Sequence, residues 1–427
     1  MEPHQSSSVF TGRAITAGGD PHLPGDLPKR RADTSSHHAR QLDAFASEAG
    51  LVRTGASSCE ESVAEQGEVR VVSRWVSMAN GEQLHLRHLT PARQTQCDGA
   101  VGERIEQRIF MLHGEAESGA IFYSPQGKGL AHYFARCGYE VFVADLGGRG
   151  RSLAPREDYA ALTVHDIVVD AIPRLLRAIR QTPKVMPETL EASAETVPMA
   201  EADIWMGHGF GGVQLAAAWA RLPAAQRCAT DMVFFGSRRQ CQPVGRRSRL
   251  FQWLLQQPLA ERLVSACGGF PAARWRFGDS DESVAWFRQY RDWSFVSEWV
   301  DADDGFDYRQ ALADNPLPRS LHIAALGDTV YAHPGDVRRF VQELGCHDAR
   351  TVILDQSGSG QRYNHLGMLL DESAVDDVYP LALQWLQENE SRMPLAVADC
   401  DPLRDSHHAP ATAAPDRAGQ KSFTLCA

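Results

Sequence analysis

Four short stretches hold residues that can do chemistry at the ends of apolar runs. Phe110-Met-Leu-His113-Gly114-Glu115 reads as a strand that ends in a sharp His-Gly turn. Such a turn leaves a backbone N–H free, and in acyl-transfer sites that N–H is half of an oxyanion hole. Glu115 then sits where a developing oxyanion would be, and a carboxylate there opposes negative charge unless it points outward or is neutral. Asp145-Leu-Gly-Gly-Arg-Gly-Arg-Ser152 follows another apolar run, and its glycines permit a tight loop; alone it reads as a surface turn. Ile204-Trp-Met-Gly207-His208-Gly209-Phe210-Gly211-Gly212 has the pattern strand, tight turn, helix. The residue after the centre of such a turn, here Phe210, presents the second oxyanion N–H. Ser237 follows Phe234-Phe235-Gly236 at the end of the next apolar run, with Cys241 four residues on.

These stretches need a frame that brings strand ends together. Val69–Met78 and Gln83–Leu89 alternate around Asn80-Gly81, which is a hairpin signature. Strand-like runs then alternate with helical patterns. The strands are Arg108–Leu112, Glu140–Ala144, Asp203–Met206, Met232–Phe235, Leu321–Ala325 and Arg350–Leu354. The helices are Gly129–Cys137, Val164–Ile179, Gly211–Arg221, Pro334–Leu344 and Ala374–Glu388. The class is α/β, a doubly wound, mostly parallel sheet of about eight strands. Right-handed crossovers put all the strand C-termini on one edge, where ligands bind. Residues 238–318 interrupt the alternation and carry five of the nine tryptophans. This insertion lies over the ligand edge, so Trp253, Trp275 and Trp286 are candidate lining residues of an apolar pocket; the other reading makes them the insertion's own core.

With the 204–212 stretch in its nucleophile-elbow pattern, the chain resembles the α/β-hydrolase superfamily in its lipase, esterase and serine-aminopeptidase-like branch. The resemblance covers about residues 68–390 and implies an inserted helical cap at 238–318. It also implies an acid loop at Ala325-Leu-Gly327-Asp328 and a histidine loop at Tyr363-Asn364-His365-Leu366. Asp328 would then orient His365 and fix its tautomer. The departure is Gly209, which stands where the superfamily has serine. Glycine tolerates the positive φ of an elbow but offers no oxygen to attack a carbonyl. The reading that follows is a degenerate hydrolase that binds an apolar or acyl-ester ligand with little or no turnover. The alternative is a working ester or thioester hydrolase that uses Asp328–His365 with a water or a relocated Ser237. An interaction module built on the tails and the Arg238–Arg249 cluster has no motif behind it.

The chain has 427 residues, 43% apolar and 23% charged, with a formal net charge of −11. That balance argues against a nucleic-acid partner, which needs a basic face. Arg238, Arg239, Arg246, Arg247 and Arg249 form a local basic cluster, read first as a solvated face. The nine cysteines are scattered singly with no CxxC pair, which suits a reducing compartment. Neither a run of ~18 apolar residues nor a basic-then-apolar leader is visible. The expectation is a cytoplasmic protein without a stable membrane anchor. No HExxH and no dinucleotide-type glycine motif point to a metal or organic cofactor. Residues 1–67 and 393–427 read as disordered, around a core at 68–237 and 319–392.

Overall fold

A computed structural model describes residues 62–66, 68–78, 80–91, 107–152, 161–183, 204–242, 246–357, 360 and 362–390. Strand β1 (Ser62–Gln66) falls within the segment expected to be disordered, and it pairs antiparallel with β2 (Val69–Ser77). The rest of 1–61 and all of 393–427 lie outside the described residues. The expected hairpin is present. Gly81 turns at φ 84°, Asn80 Oδ1 accepts from the Glu82 N–H, and β2 pairs with β3 (Gln83–Pro91).

Six parallel strands follow: β4 (Arg108–Leu112), β5 (Glu140–Ala144), β6 (Ile204–His208), β7 (Asp231–Phe235), β8 (Arg319–Ala325) and β9 (Ala349–Leu354). The nine strands form one sheet in the order β1-β2-β3-β5-β4-β6-β7-β8-β9. The interior strands β4, β6 and β7 are buried along their whole length, as continuous apolar runs covered on both faces must be.

The helices are α1 (Leu130–Arg136), α2 (Val164–Asp166), α3 (Ile172–Gln181), α4 (Phe210–Arg221), α5 (Arg246–Gln256), α6 (Pro258–Ala266), α7 (Ala272–Trp275), α8 (Val284–Phe295), α9 (Tyr308–Asp314), α10 (Pro334–Glu343), α11 (Gly367–Leu370) and α12 (Ala374–Glu390). The single helix expected at Val164–Ile179 is α2 and α3 joined by a π-helical turn, Ile167–Ala171. Thr163 and Asp166 start it with a reciprocal capping box. Helices α5–α9 form the insertion between β7 and β8. Trp293 and Trp299 pack against Tyr308 and join the main core, Trp293 through Phe210 and Trp299 through Phe340.

Buried histidines give the fold a built-in acid sensitivity. Burial holds His88 and His322 down to about 3 and His113 to about 4. His88 stacks on Phe142, and neither of its ring nitrogens has a hydrogen-bond partner. Between those values and the unfolded value of ~6.5, the unfolded chain binds protons that the fold refuses. The contribution of these groups is therefore complete above about pH 6.5 and falls as pH drops, by up to ~1.4 kcal/mol per pH unit for each. His88→Leu is expected to flatten the acid limb of a urea-midpoint-versus-pH curve by about one proton's slope while leaving the neutral plateau little changed. An acid limb identical to wild type would refute the assignment.

Candidate functional site

The ends of β4, β6, β7 and β8 and the loop after β9 converge on Gly209. The crossing of β6 into α4 is tight, and a Cβ on Gly207 would lie 2.5 Å from the Gly212 backbone. Gly209 itself takes φ 50°, ψ −127°, and its N–H donates to Phe235 O at 2.9 Å. This is the strained bend expected of an elbow, relieved by the absence of a side chain.

Asp328 and His365, 37 residues apart, meet here. His365 Nδ1 lies 2.7 Å from Asp328 Oδ2. The backbone N–H groups of Tyr331 and Ala332 donate to Asp328, each at 2.9 Å. Burial opposes the Asp328 charge, but the His365 ring and those two donors hold its pKa at about 2. For His365, burial disfavours the charged ring, yet Asp328 outweighs it, and Glu115 and Glu117 add to the effect. Its pKa therefore lies above the ordinary histidine value. Tyr331 stacks on the imidazole at 5.1 Å. The other nitrogen, Nε2, would lie 3.2 Å from a Cβ on Gly209, so it faces the space such a side chain would take.

Glu115 occupies that place. Its direction was open in the sequence, and it points inward. Oε2 accepts from the Phe210 N–H at 2.8 Å and would lie 2.7 Å from a Cβ on Gly209. The Tyr290 hydroxyl donates to Oε1 at 3.3 Å, and Arg238 Nη2 lies 4.0 Å away. The Phe210 N–H is thus taken by the chain's own carboxylate. The Gly114 N–H donates to Glu117 Oε2 at 2.9 Å, and among the described residues no hydrogen bond engages the Glu115 N–H.

Ser237 is not brought to the imidazole. Its side chain is fully buried and points at α4, where its Oγ would lie 2.2 Å from a Cβ on Gly212. Gly236 at φ 57° turns the chain so that position 236, not 237, faces His365. Trp253 and Trp275 are 56% and 47% exposed and do not line the elbow. Trp253 borders a separate cavity of about 300 Å³ with Gln240, Cys241, Gln252, Phe295 and Arg339. Trp286 does reach the site: it packs edge-on to Phe210 at 5.7 Å and stacks on Tyr290 at 4.9 Å.

Several buried residues around the site carry no local signature. His208 Nδ1 pairs with Glu117 at 2.7 Å, and its Nε2 donates to His365 O at 3.2 Å, tying the histidine loop to the elbow. Glu117, His208 and His365 offer ligand atoms within 4.8 Å of one another, so they are the donor set a metal would find here. Arg149, in the loop read as a surface turn, is instead buried and pairs with Glu282 of the cap. Arg238 and Arg239, assigned to a solvated face, are 6% and 0% exposed. Arg239 forks onto Glu343 with two 2.8 Å bonds.

The strand order and the elbow at the end of β6 define the class: the chain has the α/β-hydrolase fold. Many solved structures overlap it, and three serve as examples. They are acetyl xylan esterase 1 from Thermoanaerobacterium sp. (TM-score 0.42, 14% identity, 84% of this chain and 94% of that one), the carboxylesterase CesB from Bacillus subtilis (0.42, 14%, 83% and 99%) and the α/β-hydrolase GrgF from Penicillium sp. sh18 (0.46, 11%, 74% and 96%). No protein-family model and no curated protein matches the chain. Among the described residues, no helix is long and apolar enough to cross a membrane.

Proposed function

We propose that this is an esterase/lipase-type hydrolase fold that no longer performs serine acyl transfer and instead holds a small apolar or acyl-ester ligand with little or no turnover. One observation carries the loss of chemistry. The Glu115 carboxylate accepts the Phe210 N–H beside a residue that has no side chain. A tetrahedral intermediate needs that N–H free and an oxygen at 209, and both are lacking. Phe210, Trp286 and Tyr290 supply the apolar surroundings. A second reading, hydrolysis by a water on His365, draws on the 2.7 Å Asp328 contact and on Nε2 facing the gap.

Short- and medium-chain p-nitrophenyl esters separate the two. Wild type is expected to turn over no faster than His365→Ala or buffer, and a fluorophosphonate probe is expected to leave it unlabelled. Turnover that disappears in His365→Ala would reject the proposal and install the water reading.

A further inference from the structure

Helices α5 and α6 of the cap turn large apolar residues outward. On α5, Leu250, Trp253 and Leu254 are 50–57% exposed, while Gln252 between them is buried and its amide bonds to Cys241. On α6, Leu259 and Leu263 share one face at i, i+4 and are 62% and 53% exposed. Trp275 at the end of α7 adds a second open indole. These six are nearly half of the large exposed apolar residues among the described residues, gathered in one stretch of 26 positions. Helices α5 and α6 pack on each other and on α8, so the solvent side of the pair carries the greasy face. A soluble helix normally does the reverse.

Charge runs against the whole chain as well. Residues 246–276 hold six arginines and a single acid, Glu261, in a protein of net charge −11. Glu261 is already engaged, by Arg288 at 2.7 Å and Arg291 at 3.1 Å. Arg249, Arg262, Arg274 and Arg276 are exposed.

We infer that this face docks the cap onto a membrane surface rich in anionic lipid headgroups. Leucine and tryptophan side chains enter the headgroup–acyl boundary, and arginines meet the phosphates around them. A second copy of the chain fits less well, because an isologous contact would press two basic faces together. The inference is independent of the elbow chemistry.

The test is flotation of the full chain with vesicles of phosphatidylcholine alone and of phosphatidylcholine mixed with phosphatidylglycerol. The protein is expected to float with the mixed vesicles and not with the neutral ones, and added salt should release it. Leu254→Glu and Leu259→Glu should each weaken partition about ten-fold or more. Arg249→Gln, which leaves the apolar face intact, should weaken it about five-fold. Val169→Glu changes an exposed apolar residue outside the cap and should leave partition unchanged. Circular dichroism confirms that each variant is folded. Failure to float with mixed vesicles overturns the inference. So does undiminished flotation of both Leu254→Glu and Arg249→Gln, or a dimer in light scattering that Leu254→Glu dissolves.

Discussion

Gly209→Ser alone is expected to stay inactive, and Gly209→Ser combined with Glu115→Ala is expected to become a serine esterase. The single change restores an oxygen but not a site. Its Cβ would lie 2.7 Å from Glu115 Oε2, so the carboxylate must move, yet it remains tethered beside the hole it fills. The backbone at φ 50° adds a strain of about 1–3 kcal/mol for any residue other than glycine. Removing Glu115 frees the Phe210 N–H and clears the space in front of His365 Nε2. A hole donor is worth ~10²–10³ in turnover, and a missing serine alone costs ~10⁶. The double variant should therefore exceed wild type by at least ~10²-fold on p-nitrophenyl esters and take a fluorophosphonate label at position 209. Glu115→Ala alone should do neither. Labelling of Gly209→Ser without the second change would show that Glu115 does not block the hole.

The two-residue logic of that experiment marks where the sequence stops being legible. Asp328 and His365 are readable because each lies in the loop that follows a strand, and parallel strands deliver those loops to one edge. Gly209 is readable because the glycines around it need close approach. What fills the elbow is not readable. The direction of Glu115 is set by Tyr290, 175 residues away, and by Phe210, 95 residues away. A local pattern cannot rank an inward carboxylate against an outward one. Arg238 and Arg239 fail for the same reason. Five arginines in twelve positions look like a solvated face until Glu343 and three backbone carbonyls are found around Arg239. Ser237 fails through one turn: a positive φ at Gly236 rotates the next side chain under α4. Trp253 and Trp275 fail because aromatic composition does not say which side of a helix faces the protein.

The clamp that sets the Glu115 loop gives the largest expected stability effect. Glu282 is 1% exposed, and its two oxygens divide the work. Oε2 takes the Arg149 guanidinium, and Oε1 accepts the Ala116 N–H at 2.5 Å. Ala116 has φ 55°, unfavourable for a residue with a Cβ, and the N–H groups of Asp279 and Ser280 hold its carbonyl from the cap side. The residue just after Glu115 is thus forced into a strained shape by a buried ion pair. Glu282→Ala leaves the Arg149 charge buried and unpaired, and is expected to cost about 3–5 kcal/mol in a urea unfolding series. Arg149→Met with Glu282→Leu removes both charges, so it should recover most of that loss. About 1–3 kcal/mol should remain for the orphaned Ala116 N–H. Both variants should also loosen the loop, so the Phe210 amide should exchange with solvent faster than in wild type, because Glu115 no longer sits on it. If the double variant is as unstable as the single, the burden lies in packing rather than in the stranded charge. If Phe210 exchange is unchanged in both, Glu115 is placed by Tyr290 and Arg238 alone, and the cap does not set the plug.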